Sequence, residues 1–269
     1  MKTDCQPKTI FITGTDTGVG KTVLTALLLS HLRQTGCCAL AVKPFCSGGR
    51  ADAELLHSLQ EGDLTLDEIN PYHFSEPLAP LVAARLHDRK ITLRQSLRHI
   101  QKIGAHLKYP SIHLSINPLI QRATPPLQHA ITPVLLIEGA GGLLSPLGNR
   151  FNLLDLIVTT SSIQHPASSI RTIVVAPNRL GALNHTLLTI RALQIREVGK
   201  IRVILMDVDQ PASTRITHHA SRSNPSILAE LLSPIPLFHI PNLGKNPSKP
   251  ERIRTFAKKF KKTLAQILA

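Results

Sequence analysis

The sequence has no tryptophan and only two tyrosines in 269 residues. That shortage removes the aromatic platforms on which single-strand nucleic-acid binders stack bases. Cysteine is scarce too. Cys5, Cys37, Cys38 and Cys46 show no C-x-x-C spacing, and adjacent Cys37 and Cys38 are poorly placed to pair, so reduced thiols in a cytoplasm are expected. No apolar stretch is long enough to span a bilayer, and no positively charged leader precedes an apolar run, so a membrane partner is not expected. The thirteen histidines form no H-x-x-x-H on a convincing helix, and His218-His219 lies among polar residues; they read as surface or core histidines, not metal ligands.

Acidic residues are also few: 17 Asp and Glu stand against 31 Lys and Arg, a net charge of +14. Part of the excess follows Leu243, where Lys245, Lys249, Arg252, Arg254, Lys258, Lys259, Lys261 and Lys262 face Glu251 alone. Ile253, Phe256, Ala257, Phe260, Leu264 and Ile267 recur there at three- and four-residue steps. Residues 249–269 are therefore expected to form a basic amphipathic C-terminal helix whose lysines are a solvated face. Nucleic acid is not an expected partner despite the charge.

What the sequence does contain is a phosphate-binding loop, Thr13-Gly14-Thr15-Asp16-Thr17-Gly18-Val19-Gly20-Lys21-Thr22. A β-rich stretch, residues 9–12, precedes it, and an apolar helical stretch, residues 23–29, follows. Strand, glycine-rich turn and helix form the context in which such a loop binds a nucleoside triphosphate. The glycines let successive N–H groups face one anion, and the helix N-terminus adds partial positive charge. Lys21 is expected to reach the β/γ phosphates and the Thr22 hydroxyl to bind Mg²⁺. A bare helix-opening turn with a capping Thr is the alternative. Five residues separate Gly14 from Gly20 instead of four. The partitioning and septum-positioning ATPases carry a second lysine early in a variant loop, where this chain has Asp16. An aspartate there repels the phosphate charge that a lysine neutralises, which speaks against a ParA-like switch acting on DNA or membrane.

Strands alternate with helices along the chain. Residues 39–42, 134–137, 172–175, 201–205 and 236–240 are short apolar, β-branched runs. Helices are expected at 51–60, 77–86, 93–107, 181–196 and 226–232. The expected fold is α/β, a single P-loop NTPase domain spanning 1–269, with a mostly parallel central sheet covered by helices on both faces. Residues 109–133, rich in proline, read as a surface insertion.

Such sheets bind ligands at the C-terminal ends of their strands. One strand ends in Lys43-Pro44-Phe45-Cys46-Ser47, and Arg50-Ala51-Asp52 soon follows; another ends in Glu138-Gly139-Ala140-Gly141-Gly142. The small residues let a phosphate or substrate lie against the backbone. Thr22, Asp52 and Glu138 make a set of oxygen ligands for Mg²⁺, with waters and phosphates completing the octahedron. Taken singly, Asp52 also reads as a helix N-cap and Glu138 as a partly exposed ion-pair residue.

These pieces, with Asn70-Pro71-Tyr72, Phe74, Glu76-Pro77 and Leu180-Gly181-Ala182-Leu183-Asn184-His185, and more weakly Ile240-Pro241-Asn242-Leu243, occur in order over residues 9 to about 250. In that pattern the chain resembles the dethiobiotin synthetase family. The P-loop alone is shared with amidating synthases, but those enzymes usually append a glutamine-hydrolysing domain with a nucleophilic Cys, and this chain is too short to hold one. The sequence departs from the family at Met206, which stands before Asp207 where an adenine-reading Asn is common, in the length of 109–133, and in the basic tail.

The resemblance implies a cyclo-ligase that joins CO₂ to 7,8-diaminopelargonate with ATP and Mg²⁺, closing the ring of dethiobiotin through a carbamate and a carbamic-phosphoric anhydride. It implies nucleotide contacts at Gly18, Val19, Gly20, Lys21, Thr22, Val23, Asp52, Glu138, Gly139, Ala140, Gly141, Met206, Asp207, Pro241, Asn242 and Leu243. Thr17, Ser47 and Gly141 are implied to orient the substrate, and Lys43 with Lys21 to act in catalysis. It further implies a homodimer with the site at the interface, where Asn184 holds the partner subunit's substrate carboxylate.

Overall fold

The structure is a computed structural model and describes residues 7–108, 132–163, 170–207 and 215–269. In chain order the elements begin with β1 (Lys8–Gly14), α1 (Lys21–Gln34), β2 (Ala39–Val42), β3 (Phe45–Ser47), α2 (Ala51–Ser58), α3 (Leu66–Ile69) and β4 (Tyr72–Phe74). Next come α4 (Pro80–Leu86), α5 (Leu93–Lys108), β5 (Val134–Glu138), β6 (Pro146–Gly148), β7 (Phe151–Asn152) and α6 (Leu153–Ile163). The last are β8 (Ile170–Pro177), α7 (Ala182–Ile195), β9 (Ile201–Met206), α8 (Arg215–Leu232), β10 (Leu237–Ile240), α9 (Pro250–Lys259) and α10 (Lys261–Leu268).

Six strands form one sheet in the order β10-β9-β8-β1-β5-β2, and every pair is parallel. Strands β2, β5 and β8 are buried at every residue, as covering on both faces requires. Strand β1 sits between β5 and β8. The chain leaves β1 toward β2 on one side and returns to β8 on the other, so the strand order reverses beside β1. The loops at that end part and open a crevice, which is where the P-loop lies.

Most expected elements are present within a few residues of their expected bounds. Helix α4 begins at Pro80, not residue 77, because proline suits a first helical turn that needs no N–H. Helix α8 begins eleven residues before the expected start and runs through Pro225. Helix α6 was not legible as a helix, since its sequence is rich in β-branched residues. Its start is nonetheless capped: Asp155 N–H donates to Asn152 Oδ1 and Asn152 N–H donates to Asp155 Oδ2, both at 3.0 Å. The expected excursion at 109–133 lies, except for its last two residues, outside the described residues, as do Cys5 and residues 208–214.

The tail folds as two helices meeting at Phe260, whose N–H still donates to Phe256 O and whose carbonyl still accepts from Leu264 N–H. Ile253, Ala257, Leu264 and Ile267 are buried, while Lys258, Lys259, Lys261 and Lys262 are exposed. Three cations from the opposite end of the sheet grip the final carbonyls. Lys8 Nζ donates to Leu268 O (2.6 Å), Arg171 to Ile267 O, Leu268 O and Ala269 O, and Arg202 to Gln266 O and Ile267 O. Cations favour a helix C-terminus because its free carbonyls carry partial negative charge. No helix among the described residues is long and apolar enough to cross a membrane.

Candidate active site

The P-loop joins β1 to α1, with Gly18 and Gly20 both left-handed at φ 72° and 98°. Gly20 caps α1 without any side-chain acceptor, so the backbone alone opens the helix. A Cβ on Gly14 would come within 2.7 Å of Val19 Cγ2, so the loop closes only over glycine. Val19 is buried and Val23 packs partly against the core. Lys21 folds back over the loop, its Nζ donating to Asp16 O at 2.7 Å. Burial lowers its pKa to about 8, Lys43 adds to the fall, and Glu138, Asp52 and Asp16 oppose it.

Lys43 stands at the tip of β2. Its main chain is pinned: Lys43 N–H donates to Ile69 O, and the buried Asn70 donates Nδ2–H to Lys43 O at 2.9 Å and Pro44 O at 3.3 Å. Arg50 in turn holds Asn70 through its side-chain and main-chain oxygens. Sequence reasoning gave neither Asn70 nor Arg50 a role. The available signals were the place of Asn70 in the Asn70-Pro71-Tyr72 piece of the resemblance and that of Arg50 just after the Lys43 segment.

The Lys43 ammonium meets three oxygens: Glu138 Oε1 at 2.7 Å, Thr22 Oγ1 at 3.2 Å and the Asp52 carboxylate. Thr22 Oγ1 also donates to Glu138 Oε1 at 2.6 Å. Burial alone would lower the Lys43 pKa, but the Glu138 and Asp52 charges outweigh it and hold it above the ordinary lysine value. Asp52 pays a burial cost of its own, yet Lys43 keeps its pKa below the usual carboxylate range. The chain thus brings together Thr22, Lys43, Asp52 and Glu138 from four separate elements. The N-cap of α2 is Arg50, with Asp52 one residue inside the first turn. Glu138 is indeed ion-paired, but its side chain is fully buried, not partly exposed.

Beyond Glu138 the backbone lies against the P-loop. A Cβ on Gly139 would sit 2.1 Å from Leu153 Cδ2, and one on Gly142 would sit 3.3 Å from Thr15 O. Gly141 has φ 67°, and its Cβ would be 2.3 Å from Ser145 Oγ and 3.8 Å from Thr17 Oγ1. Ser145 Oγ accepts from Gly142 N–H at 2.9 Å, a turn that sets this cradle and that the sequence reading missed. Ala140 is buried. Among the described residues, Thr15 Oγ1, Ser47 Oγ and Glu138 Oε2 are buried with no hydrogen-bond partner. A cleft of about 380 Å³ opens here, lined by Thr15, Asp16, Gly142, Ser145 and His185 among others. Asn184 is exposed on α7 and lines a different groove, with Leu188, Arg191 and Leu231; it does not join the Lys43 cluster.

At the other end of the loop, Met206 closes β9 and is buried. A Cβ on Gly20 would meet Met206 Sδ at 2.7 Å, so the thioether lies on the P-loop itself. Asp207 Oδ1 accepts from Asn178 Nδ2–H at 2.8 Å and lies 2.9 Å from His239 Nε2. Asn178 also donates to Ser221 O and accepts from Asn224; neither asparagine was foreseen. The parallel register of β9 and β10 sets Ile240 beside Met206, bringing Pro241, Asn242 and Leu243 next to Met206 and Asp207. Pro241 and Asn242 are exposed and Leu243 is buried. Among the described residues no three His, Cys, Asp or Glu side chains cluster as a metal site; the oxygen set at Lys43 has two carboxylates and one hydroxyl.

Comparison with known proteins adds the lineage. The family model described as an AAA domain matches residues 8–245. The chain is 34% identical over 210 residues to the ATP-dependent dethiobiotin synthetase BioD of Anaeromyxobacter sp., covering 76% of this chain and 79% of that one. It is 35% identical over 202 residues to the enzyme of the same name from Bacillus licheniformis, covering 73% of this chain and 71% of that one. Among solved structures, a putative plasmid partition protein from Borrelia burgdorferi bound to AMPPNP superposes with a TM-score of 0.51 at 10% identity, covering 97% of this chain and 98% of that one. That likeness speaks to the P-loop NTPase fold alone. With a parallel sheet, a P-loop at its crevice and relatives of one name matched over most of their length, the chain belongs to the ATP-dependent dethiobiotin synthetase family.

Proposed function

We propose that this protein is a cyclo-ligase that uses ATP and CO₂ to close 7,8-diaminopelargonate into dethiobiotin, in the cytoplasm. The observation that carries the reading is the convergence of Thr22, Asp52 and Glu138 on one point beside the P-loop, with Lys43 among them. Mg²⁺ fits these residues: all three offer hard oxygen donors, and Glu138 Oε2 is buried with no hydrogen-bond partner among the described residues. When bound, the ion would neutralise phosphate charge and orient the triphosphate.

The protein's own groups do the rest. Backbone N–H groups from Gly18 to Val23 and the Lys21 ammonium hold the β and γ phosphates. Met206, Asp207 and residues 241–243 flank the base, and the backbone of Gly139, Ala140 and Gly141 lies along the nucleotide and substrate. Thr17, Ser47 and the N–H groups near Gly141 orient the diamine. One amine attacks CO₂ and loses a proton to give a carbamate, whose oxygen then attacks the γ-phosphorus as ADP leaves. The Lys43 ammonium stabilises the carbamate and the charge that develops on the transferred phosphoryl group. The second amine then attacks the carbonyl carbon of the mixed anhydride, phosphate leaves, and the cyclic urea closes.

We further propose a homodimer in which Asn184 holds the partner subunit's substrate carboxylate. Its support is the exposure of Leu144, Leu180 and Leu188 around the cleft and α7, apolar surface of the kind that marks an interface. The test is an assay with diaminopelargonate, bicarbonate, ATP and Mg²⁺, with dethiobiotin identified by mass spectrometry. Formation of dethiobiotin with matching phosphate release is expected. ATP hydrolysis stimulated by DNA and indifferent to the diamine would overturn the reading.

A further inference from the structure

An ammonium has three N–H donors, and in this structure all three donors of Lys43 have partners: Thr22 Oγ1, Asp52 and Glu138 Oε1. These are the same three side chains that the proposed function gives to Mg²⁺. The lysine is therefore seated among the metal's ligands.

Several features make that seat firm. Its side chain is only 7% exposed and that of Glu138 is fully enclosed. The Lys43 main chain is tied on both sides, to Ile69 and Asn70, so only the side chain is free to leave. Thr22 donates its proton to Glu138 and accepts from Lys43 with one of its two lone pairs, so the hydroxyl is held in the cluster as well. A monovalent and a divalent cation cannot share three oxygens at contact distance, because their repulsion in a weakly screened site far exceeds thermal energy.

We propose that Lys43 holds the metal position in the nucleotide-free protein, excluding free divalent cations until a triphosphate arrives to draw the lysine out. Only the triphosphate brings enough negative charge to provide the ammonium with a new partner. The ion then enters as part of the nucleotide complex, and the same exchange delivers Lys43 to the phosphoryl group and the carbamate. Metal entry and placement of the lysine become one event, so the protein does not hold a metal while its phosphoryl-stabilising cation is still locked away. This inference rests on the reading of Thr22, Asp52 and Glu138 as metal ligands.

The test measures Mn²⁺ bound to the purified protein by electron paramagnetic resonance, with no substrate turning over. Wild type, Lys43→Met, Lys43→Gln and Glu138→Gln are titrated with Mn²⁺ alone and with Mn²⁺ plus a non-hydrolysable ATP analogue, after circular dichroism shows which variants are folded. Removing the ammonium is expected to tighten binding of Mn²⁺ alone by at least about tenfold in either Lys43 variant. With the analogue present, the difference from wild type should shrink to within about threefold, since the nucleotide has already displaced the lysine. If folded Lys43 variants bind Mn²⁺ alone no better than wild type, while the analogue still recruits Mn²⁺ in a manner lost in Glu138→Gln, the lysine does not guard the site and this inference fails by itself. If Glu138→Gln leaves analogue-dependent Mn²⁺ binding unchanged, the metal reading fails and takes the inference with it.

Discussion

The Lys43 ammonium lies 2.7 Å from Glu138 Oε1, and neither side chain has appreciable contact with solvent. The two residues stand 95 positions apart in sequence. They meet because β2 and β5 are parallel neighbours in register, Val42 beside Ile137, so the residues that follow leave the sheet at the same height. A buried ion pair is weak evidence for stability as such. Its position at the sheet's crevice beside the P-loop makes it evidence for chemistry.

Replacing Lys43 by Ala should lower turnover by roughly 10²–10³, the loss expected when one transition-state charge contact is removed, while nucleotide binding changes little, because the contact Lys43 gains with the triphosphate is offset by those it gives up at Thr22, Asp52 and Glu138. Lys21→Ala should weaken both, because its phosphate contact exists before the reaction as well as during it. Steady-state kinetics with parallel calorimetric nucleotide titrations separate the two. Near-normal turnover in Lys43→Ala would leave the lysine as a structural counter-ion only.

Nucleotide binding should take up a proton above pH 8. Burial sets the Lys21 pKa at about 8 in the free protein, and an adjacent triphosphate raises it again. In the window above pH 8 the complex then holds more protons than the free protein, so affinity falls as pH rises. The same lowered pKa makes the nucleotide-free protein gain stability as pH rises from about 8 toward the ordinary lysine value, where the unfolded chain binds more protons. Calorimetry at pH 9 in buffers of different ionisation enthalpy should report the uptake, and Lys21→Met should abolish it.

The grip on the last helix should be separable from the site. Arg171→Met removes the donor to Ala269 O, while Ile267 O keeps Arg202 and Leu268 O keeps Lys8, which should cost about 1–2 kcal/mol. Hydrogen exchange should rise first over residues 261–268, with nucleotide affinity unchanged. Uniform exchange across the sheet instead would mean that α10 is not held locally.

Base choice should be relaxed. An amide reads adenine with a donor and an acceptor, whereas Met206 offers a thioether that already lies on Gly20. One carboxylate oxygen of Asp207 is engaged by Asn178 and His239. ATP should work, and GTP or CTP should support turnover within roughly tenfold, about 1.4 kcal/mol. Turnover with each nucleotide at matched Mg²⁺ decides it. Preference for ATP by a thousandfold or more would mean that backbone groups around Pro241–Leu243 read the base.

Short local signals were legible where the chemistry is local. The P-loop needs consecutive residues, and its glycines announce the left-handed turns at Gly18 and Gly20. Continuous apolar strands between helices announce a parallel sheet. Helix α6 escaped because β-branched residues argue against helix while tertiary packing overrides them; the Asn152–Asp155 cap was the signal to follow. Strands β3, β4, β6 and β7 have two or three residues each, too few for any period to show.

The sequence by itself determined that a triphosphate site exists, that a parallel sheet carries it, and which strand ends bear lysine and carboxylate. Only the tertiary structure decided that Thr22, Lys43, Asp52 and Glu138 share one point, that Asn184 stands apart, and that Met206 covers the loop. The reason is physical. Backbone conformation and burial pattern are written in neighbouring residues, whereas the distance between two strand tips depends on strand order and register, which are set by packing over the whole sheet.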